Sequence, residues 1–365
     1  MSSQGGSLFS HFKGSLLLTV VGLGGAYAIG HVMTGTFTGG LSSVFICFVL
    51  SILEISLSFD NAIVNASVLG RMTPLWRHRF LTWGILIAVF GMRLVFPLGI
   101  VSIMTSLNPW QALLLAIGQP EQYAAYMQRA HIPVSAFGGA FLLMVALKHF
   151  FDSEREVFWI TWIEKPLALL GRLRSSELAI AMLALYGISR ALPPDEVVTF
   201  LIAGLFGLIT FIAVDGLSSL LEISDATKKT DQKAKPAHHK LHRASVGLFV
   251  YLEVLDASFS FDGVVGAFAI TTNLILITIG LGIGALFVRS LTILLVDRGT
   301  LREFRYLEHG AFWAIGALAV IMFINTFHEV NEIVTGTIGA ALIALSLYSS
   351  IRHNRRHPEV TELQQ

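Results

Sequence analysis

The chain has 365 residues, 54% hydrophobic and only 13% charged, with a mean hydropathy of +0.70. A water-soluble domain carries about 25% charged residues, so this composition excludes an ordinary soluble domain and points to a polytopic membrane protein whose main partner is the lipid bilayer. The formal net charge of +1 gives no reason to invoke nucleic acid, and the single cysteine, Cys47, excludes an intrachain disulfide or a Cys-rich metal site.

Hydropathy predicts ten spans, at 15–33, 43–69, 80–104, 136–151, 178–192, 198–221, 246–270, 274–296, 310–327 and 332–351. Crossing ~30 Å of hydrocarbon takes about 20 residues, so 136–151 and 178–192 are short. Lys13 precedes an apolar run containing the signal-like "AYA" at 26–28. That run continues to Met33 and spaces Gly22, Ala26 and Gly30 as a small-residue packing face, so a retained helix is expected. The stretch "SDATKKTDQKAKPAHHKLHR" at 224–243 is charged and has Leu241 as its single large apolar residue, the composition of a flexible linker.

Lysine and arginine in short connections resist translocation. With the N-terminus inside, the inner segments hold Lys13, Arg71, Arg77, Arg79, Arg155, Lys165, Arg172, Arg174, six basic residues of the 228–243 stretch, Arg298, Arg302, Arg305, Arg352, Arg355 and Arg356. The outer segments, including the long connection 105–135, hold only Arg129. Both termini are therefore expected in the cytoplasm.

The two sides of the linker repeat a motif. "EISLSFDNAIVNA" at 54–66 aligns with "DASFSFDGVVGA" at 256–267, pairing Glu54 with Asp256, Ser56 with Ser258, Ser58 with Ser260, Phe59 with Phe261, and Asp60 with Asp262. The following spans repeat a second pattern, with Gly84 nine residues before Arg93 and Gly280 nine before Arg289. The charge bias runs the two motif spans in opposite directions, as in an inverted-topology repeat with its site near the bilayer midplane. The expected organisation is an all-α helical bundle of about ten spans with two inverted three-helix repeats. It comprises an N-terminal helix (1–42), repeat 1 (43–151), central extra helices (152–223), a cytoplasmic charged linker (224–245), repeat 2 (246–327), and a C-terminal helix with a cytoplasmic tail (328–365).

These motifs resemble the paired acidic motifs of the TerC superfamily of integral membrane proteins, which is grouped with LysE-type exporters and other inverted-repeat transporters. The resemblance covers roughly 43–151 and 246–327, and fits a long DUF-type branch with extra central helices best. It implies a bacterial inner-membrane (cytoplasmic-membrane) location and a role in manganese efflux, metal-ion homeostasis or tellurium resistance. Gly263 stands where many members have Ser, which removes one oxygen from the expected ligand set.

The chemistry of the motifs points the same way. A carboxylate at bilayer depth costs at least ~2.5–3.5 kcal/mol, so Glu54, Asp60, Asp256 and Asp262 require a partner or a wet cavity, and a bound cation supplies compensation. On a continuous helix Glu54, Ser58, Asn61 and Asn65 fall within about 60° of one another, while Ser56 and Asp60 form a stripe roughly 120° away. Either the helix is buried on both faces, or it unwinds near Ser58–Asn61. In the second copy Glu253, Asp256 and Ser260 form the corresponding stripe. Carboxylates, amides and hydroxyls without Cys, His or Met favour hard divalent ions.

The expected ligands are thus Asp60, Asp262, Glu54, Asp256 and Asn61, for transported Mn2+ or Ca2+, with Mn2+ placed first by the resemblance and proton exchange as the coupling. Asn65, Ser56, Ser58, Ser258, Ser260 and Glu253 are candidates for supporting the ligands. Ser hydroxyls can instead bond back to their own helix, and Asn61 and Asn65 can bond across helices. Arg93 and Arg289 are expected to balance the buried acids or to snorkel to an interface rather than touch the substrate, and are candidates for supporting or gating the site. Asp215 and Lys148 are expected to snorkel at an interface, with Asp215 a candidate gating group. The "HEVNE" cluster at 328–332 reads as an external turn and "HHKLH" at 238–242 as part of a solvated linker. No His-Glu-x-x-His, Gly-x-Ser-x-Gly or nucleotide-binding loop is present, so neither an enzyme nor an organic cofactor is expected. The alternatives to metal export are a non-transporting metal-handling or tellurium-resistance partner, and an exporter of a small organic cation or amino acid.

Overall fold

The computed structural model describes residues 8–173, 175–226, 238–328 and 330–356. All the regular structure among them is helical. In chain order the helices are α1 (Leu8–Thr34), α2 (Phe37–Leu57) and α3 (Phe59–Leu69), then α4 (Pro74–Leu86), which runs through a π-helical segment (Ile87–Val95) into α5 (Phe96–Thr105). They continue as α6 (Pro109–Gly118), α7 (Pro120–Arg129), α8 (His131–Phe150), α9 (Thr161–Leu170), α10 (Ser176–Ser189), α11 (Pro194–Ala226) and α12 (His238–Ile270). The chain closes with α13 (Leu274–Asp297), α14 (Thr300–Glu303), α15 (Leu307–Asn325) and α16 (Glu332–Arg356).

Local chemistry sets many of these boundaries. Thr36 caps α2 by accepting from the Gly39 N–H, and Asn273 caps α13 by accepting from Ile275 and Leu276. Proline opens α4, α6 and α7, where its missing N–H costs nothing. Asn108 and Gln111 form a reciprocal capping box at the start of α6, so the 105–135 connection is mostly helical rather than open loop.

Eight segments of the described chain are long and apolar enough to cross a membrane: His11–Thr34, Phe37–Leu57, Ile87–Thr105, His131–Phe150, Pro194–Leu217, Leu274–Asp297, Leu307–Asn325 and Ile333–Arg356. This revises the expectation of ten, for two physical reasons. The short span at 178–192 is a 14-residue helix, which at 1.5 Å per residue reaches only about 21 Å. The span at 246–270 lies in α12, whose Glu253, Asp256 and Asp262 lower its hydropathy although its 33 residues are ample in length. The other short span, 136–151, is the 20-residue α8. The charged stretch is shorter than 224–243, since α11 reaches Ala226 and α12 starts at His238. Residues 227–237 lie outside the described chain.

The spanning helices α13 and α15 lie at the centre, each 67% buried over its most apolar window, whereas α1 (11%) and α16 (22%) are peripheral. Outward faces carry exposed apolar side chains such as Val20, Val32, Phe45, Ile103 and Ile333, the surface expected against lipid. With no water between helices in a bilayer, close packing rests on small residues. A Cβ on Gly22 would lie 3.0 Å from Ile283, and one on Gly30 only 2.2 Å from Ser43 Oγ, while Ala26 is fully buried. The small-residue face of α1 therefore is a packing face, set against α2 and α13.

Candidate cation site

The helix of the first motif breaks at Ser58, whose backbone (φ −104°, ψ 16°) separates α2 from α3. The Ser58 N–H still reaches the Glu54 carbonyl at 2.9 Å and Ala62 N–H the Ser58 carbonyl at 3.2 Å. The chain is redirected there without losing these bonds.

Glu54, one turn before the break, is 3% exposed. Its carboxylate accepts from Ser58 Oγ at 2.8 Å and pairs with the guanidinium of Arg93. Arg93, 1% exposed, belongs to the π-helical segment and also donates to the Ala88 carbonyl within it. Such widened turns concentrate at functional sites, and here the guanidinium takes up a backbone acceptor of the segment that carries it. Two glycines make room for Glu54: a Cβ on Gly284 would stand 2.4 Å from Glu54 Cβ, and one on Gly263 3.2 Å from Glu54 Oε2. Gly263 thus supplies space for the first motif's carboxylate, beside which a Ser side chain would be crowded.

Across the break, Asn61 Nδ2 donates to Asp256 Oδ1 of α12 at 2.6 Å. Glu253, one turn earlier on α12, lies 3.8 Å from Arg289 Nη2 of α13, and that guanidinium sits 4.0 Å above the Phe80 ring. Glu54, Ser58, Asn65, Arg93, Asp256 and Arg289 line a cavity of about 20 Å³, room for one water or a bare ion. Asn61 Oδ1, Asn65 Oδ1 and both oxygens of Glu253 are buried without a hydrogen-bond donor. Three carboxylates, Glu54, Glu253 and Asp256, face two guanidiniums, which leaves one negative charge among these side chains when all are ionised.

Asp60 does not join this group. It points with Ser56 into a separate cavity of about 20 Å³, lined also by Phe259, Thr335, Gly336 and Gly339. The physical reason is the 100° turn per residue, which puts residues 56 and 60 on the opposite stripe and buries both faces of the motif. Asp60 is 4% exposed and accepts from the Asn61 N–H at 2.9 Å. The side chain of Asp262 lies outside the described residues, so its place in α12 is known only from the backbone.

The remaining expected residues divide. Ser56 and Ser258 bond back to their own helices, at the Ile52 and Val254 carbonyls. Ser260 is buried with an unpartnered hydroxyl. Asp215 pairs with Lys148 at a partly exposed position away from the site. Part of "HEVNE" and the side chains at 238–242 fall outside the described residues.

A second buried polar cluster escaped the sequence reading. Glu164 of α9 accepts from Trp313 Nε1 (2.9 Å) and from the Trp159 and Ile160 N–H groups, and lies 3.0 Å from His309 Nδ1. Beside it His149 stacks on Phe312 and contacts Arg155. Burial pushes the Glu164 carboxyl up, but the hydrogen bonds from His309 and Trp313 outweigh it and hold the group at about 2; burial lowers the Arg155 guanidinium. The hint was two histidines at apolar helix ends, which "KHFF" and "EHGAFW" display only weakly.

Among the described residues no group of three or more His, Cys, Asp or Glu side chains is placed to hold a metal. A cation here would have to draw on the amide oxygens of Asn61 and Asn65 as well as carboxylates, which is hard-ion chemistry. No curated protein and no solved structure matches the chain. The family model described as "Protein of unknown function (DUF475)" matches residues 59–357. That stretch contains Asn61, Arg93, Asp256 and Arg289, and the chain belongs to this family.

Proposed function

We propose that the chain is a membrane transporter that exports a divalent cation, Mn2+ foremost, through the polar core between α2–α3 and α12–α13. The observation that carries this reading is the cavity at the Ser58 break. There Glu54, Asn65 and Asp256 converge inside a bundle of membrane-spanning helices, with unpartnered amide oxygens at hand. Buried ionisable groups at membrane depth are expensive and mark ion pathways. The oxygen-only set suits a hard ion, and the small volume suits an ion better than an amino acid.

Arg93 and Arg289 then act as tethered counter-charges. Each sits beside a carboxylate, Glu54 and Glu253 respectively, and each can stand in for the cation when the ion has left. The repeated motif supports the inverted-repeat reading, and with it the relationship to the TerC superfamily; the acid beside Arg289 is Glu253, one turn before the Asp256 that aligns with Glu54. Protons on the carboxylates are the natural exchange partner for moving a divalent ion against an inside-negative potential. Counted over the ten expected spans, the Lys and Arg asymmetry supports both termini inside, and the TerC resemblance implies a bacterial cytoplasmic membrane.

The test is flux in sealed proteoliposomes with ⁵⁴Mn2+, ⁴⁵Ca2+ and a labelled amino acid. Manganese flux is expected, and a reduced flux in Asp256→Asn. Amino-acid flux without metal flux, or no flux of any of the three, overturns the proposal.

A further inference from the structure

The cavity that holds Asp60 is set apart from the one at Glu54 and Asp256 and is built differently. It offers about 20 Å³ between the α2–α3 break, α15 and α16. Asp60 is 4% exposed, and its Oδ1 accepts from the Asn61 N–H in the first turn of α3. Its Oδ2 reaches toward α16, 3.9 Å from where a Cβ on Gly339 would stand, and Gly339 lines the same cavity. Among the described residues no Lys, Arg or His forms an ion pair with Asp60, in contrast to Glu54 and Glu253.

We infer that this cavity is a binding site for a single monovalent metal ion, Na+, with Asp60 as its charged ligand. A carboxylate buried among membrane helices calls for a compensating charge, and the neutral oxygens around Asp60 suit a hard cation. Ser56 Oγ donates to the Ile52 carbonyl at 2.9 Å and keeps its lone pairs for an ion. Thr335 of α16 brings a second hydroxyl to the cavity wall. The helix α2 ends at Leu57, and the last carbonyls of a helix lack intrahelical partners and form the negative end of its dipole. That of Ser56 faces α16, 3.6 Å from where a Cβ on Gly336 would stand. Carbonyls at the ends of broken membrane helices are the usual partners of Na+ in transporters.

Size and charge select the ion. The space holds one water-sized particle, which excludes an organic cation. One carboxylate balances one positive charge, whereas a divalent ion would leave a surplus. A proton would neutralise Asp60 without using the hydroxyls, the carbonyl or the space. The site is separate from the divalent route proposed above and stands whether or not that route carries a metal.

The experiment measures ²²Na+ binding to the purified full chain in nanodiscs, with ionic strength held by N-methylglucamine. Saturable binding is expected, displaced by unlabelled Na+ and weakened about tenfold or more by Asp60→Asn, as for removal of one partner from a buried charge pair. Because Asp60 also accepts from the first turn of α3, its replacement can disturb the break, and Thr335→Val provides a second arm from α16. It keeps the side-chain shape, removes one oxygen, and should weaken ²²Na+ binding severalfold. No saturable binding, equal affinity in a folded Asp60→Asn variant, binding unaffected by Thr335→Val, or displacement by Mn2+ at a small fraction of the Na+ concentration would each overturn the proposal. Loss of ⁵⁴Mn2+ flux bears only on the divalent route, so the two readings fail separately.

Discussion

Asn61 and Asp256, 195 positions apart, are joined by a 2.6 Å hydrogen bond that ties α3 to α12 beside the Ser58 break. One amide arm is spent on this bond and the other, Oδ1, has no donor. Residues that share a partner couple, and those without one add. Asn61→Ala and Asp256→Asn are therefore expected to reduce ⁵⁴Mn2+ flux non-additively. Additivity between Asn61→Ala and Asp256→Asn would separate the pair functionally.

Glu54 and Arg93 form the most deeply buried ion pair among the described residues, with side chains 3% and 2% exposed. Removing one member of such a pair strands the other, typically at about 3–5 kcal/mol. Glu54→Gln and Arg93→Gln should each lower the Tm of the purified chain markedly, and the double variant should be more stable than the two losses summed. Thermal unfolding in detergent reads the cycle directly, and an additive double variant would deny the pairing.

Gly84 has no room for a methyl group, because its Cβ would stand 2.3 Å from Arg289 Nη2 and 2.6 Å from Glu253 Oε1. Gly84→Ala should destabilise by about 1–3 kcal/mol, the usual range for overpacking. Gly216, with nothing within 4 Å of its Cβ position, is the control. Alanine there should be neutral or stabilising, because it removes up to about 1 kcal/mol of glycine backbone entropy. Equal Tm shifts at both positions would show that the Glu253–Arg289 pair yields freely.

Glu164 gives a pH dependence of known sign. Its carboxyl is held at about 2 in the folded chain, against an ordinary 4.5. A depressed folded value means that the stabilisation is fully present above 4.5 and fades as pH falls from there toward 2. Unfolding measured from neutral pH down to about 3 should show a loss of stability that Glu164→Gln abolishes. A pH profile unchanged by the substitution would remove Glu164 from the acid response.

The sequence by itself determined what kind of molecule this is. Its apolar composition, the spacing of its spans and the acids inside two of them can be read without coordinates, because a bilayer imposes length and polarity locally, residue by residue. The 100° turn per residue also separated Ser56 and Asp60 from Glu54, Ser58, Asn61 and Asn65. Only tertiary structure decided which partner each stripe meets. It turned Asp60 toward α16, assigned Arg93 to Glu54 and Arg289 to Glu253, and made Gly263 a space for Glu54, since all of these depend on contacts between residues tens to hundreds of positions apart. The π-helical segment and the Glu164–His309 cluster were illegible for the same reason: each is held by a side chain or partner whose role no local pattern announces.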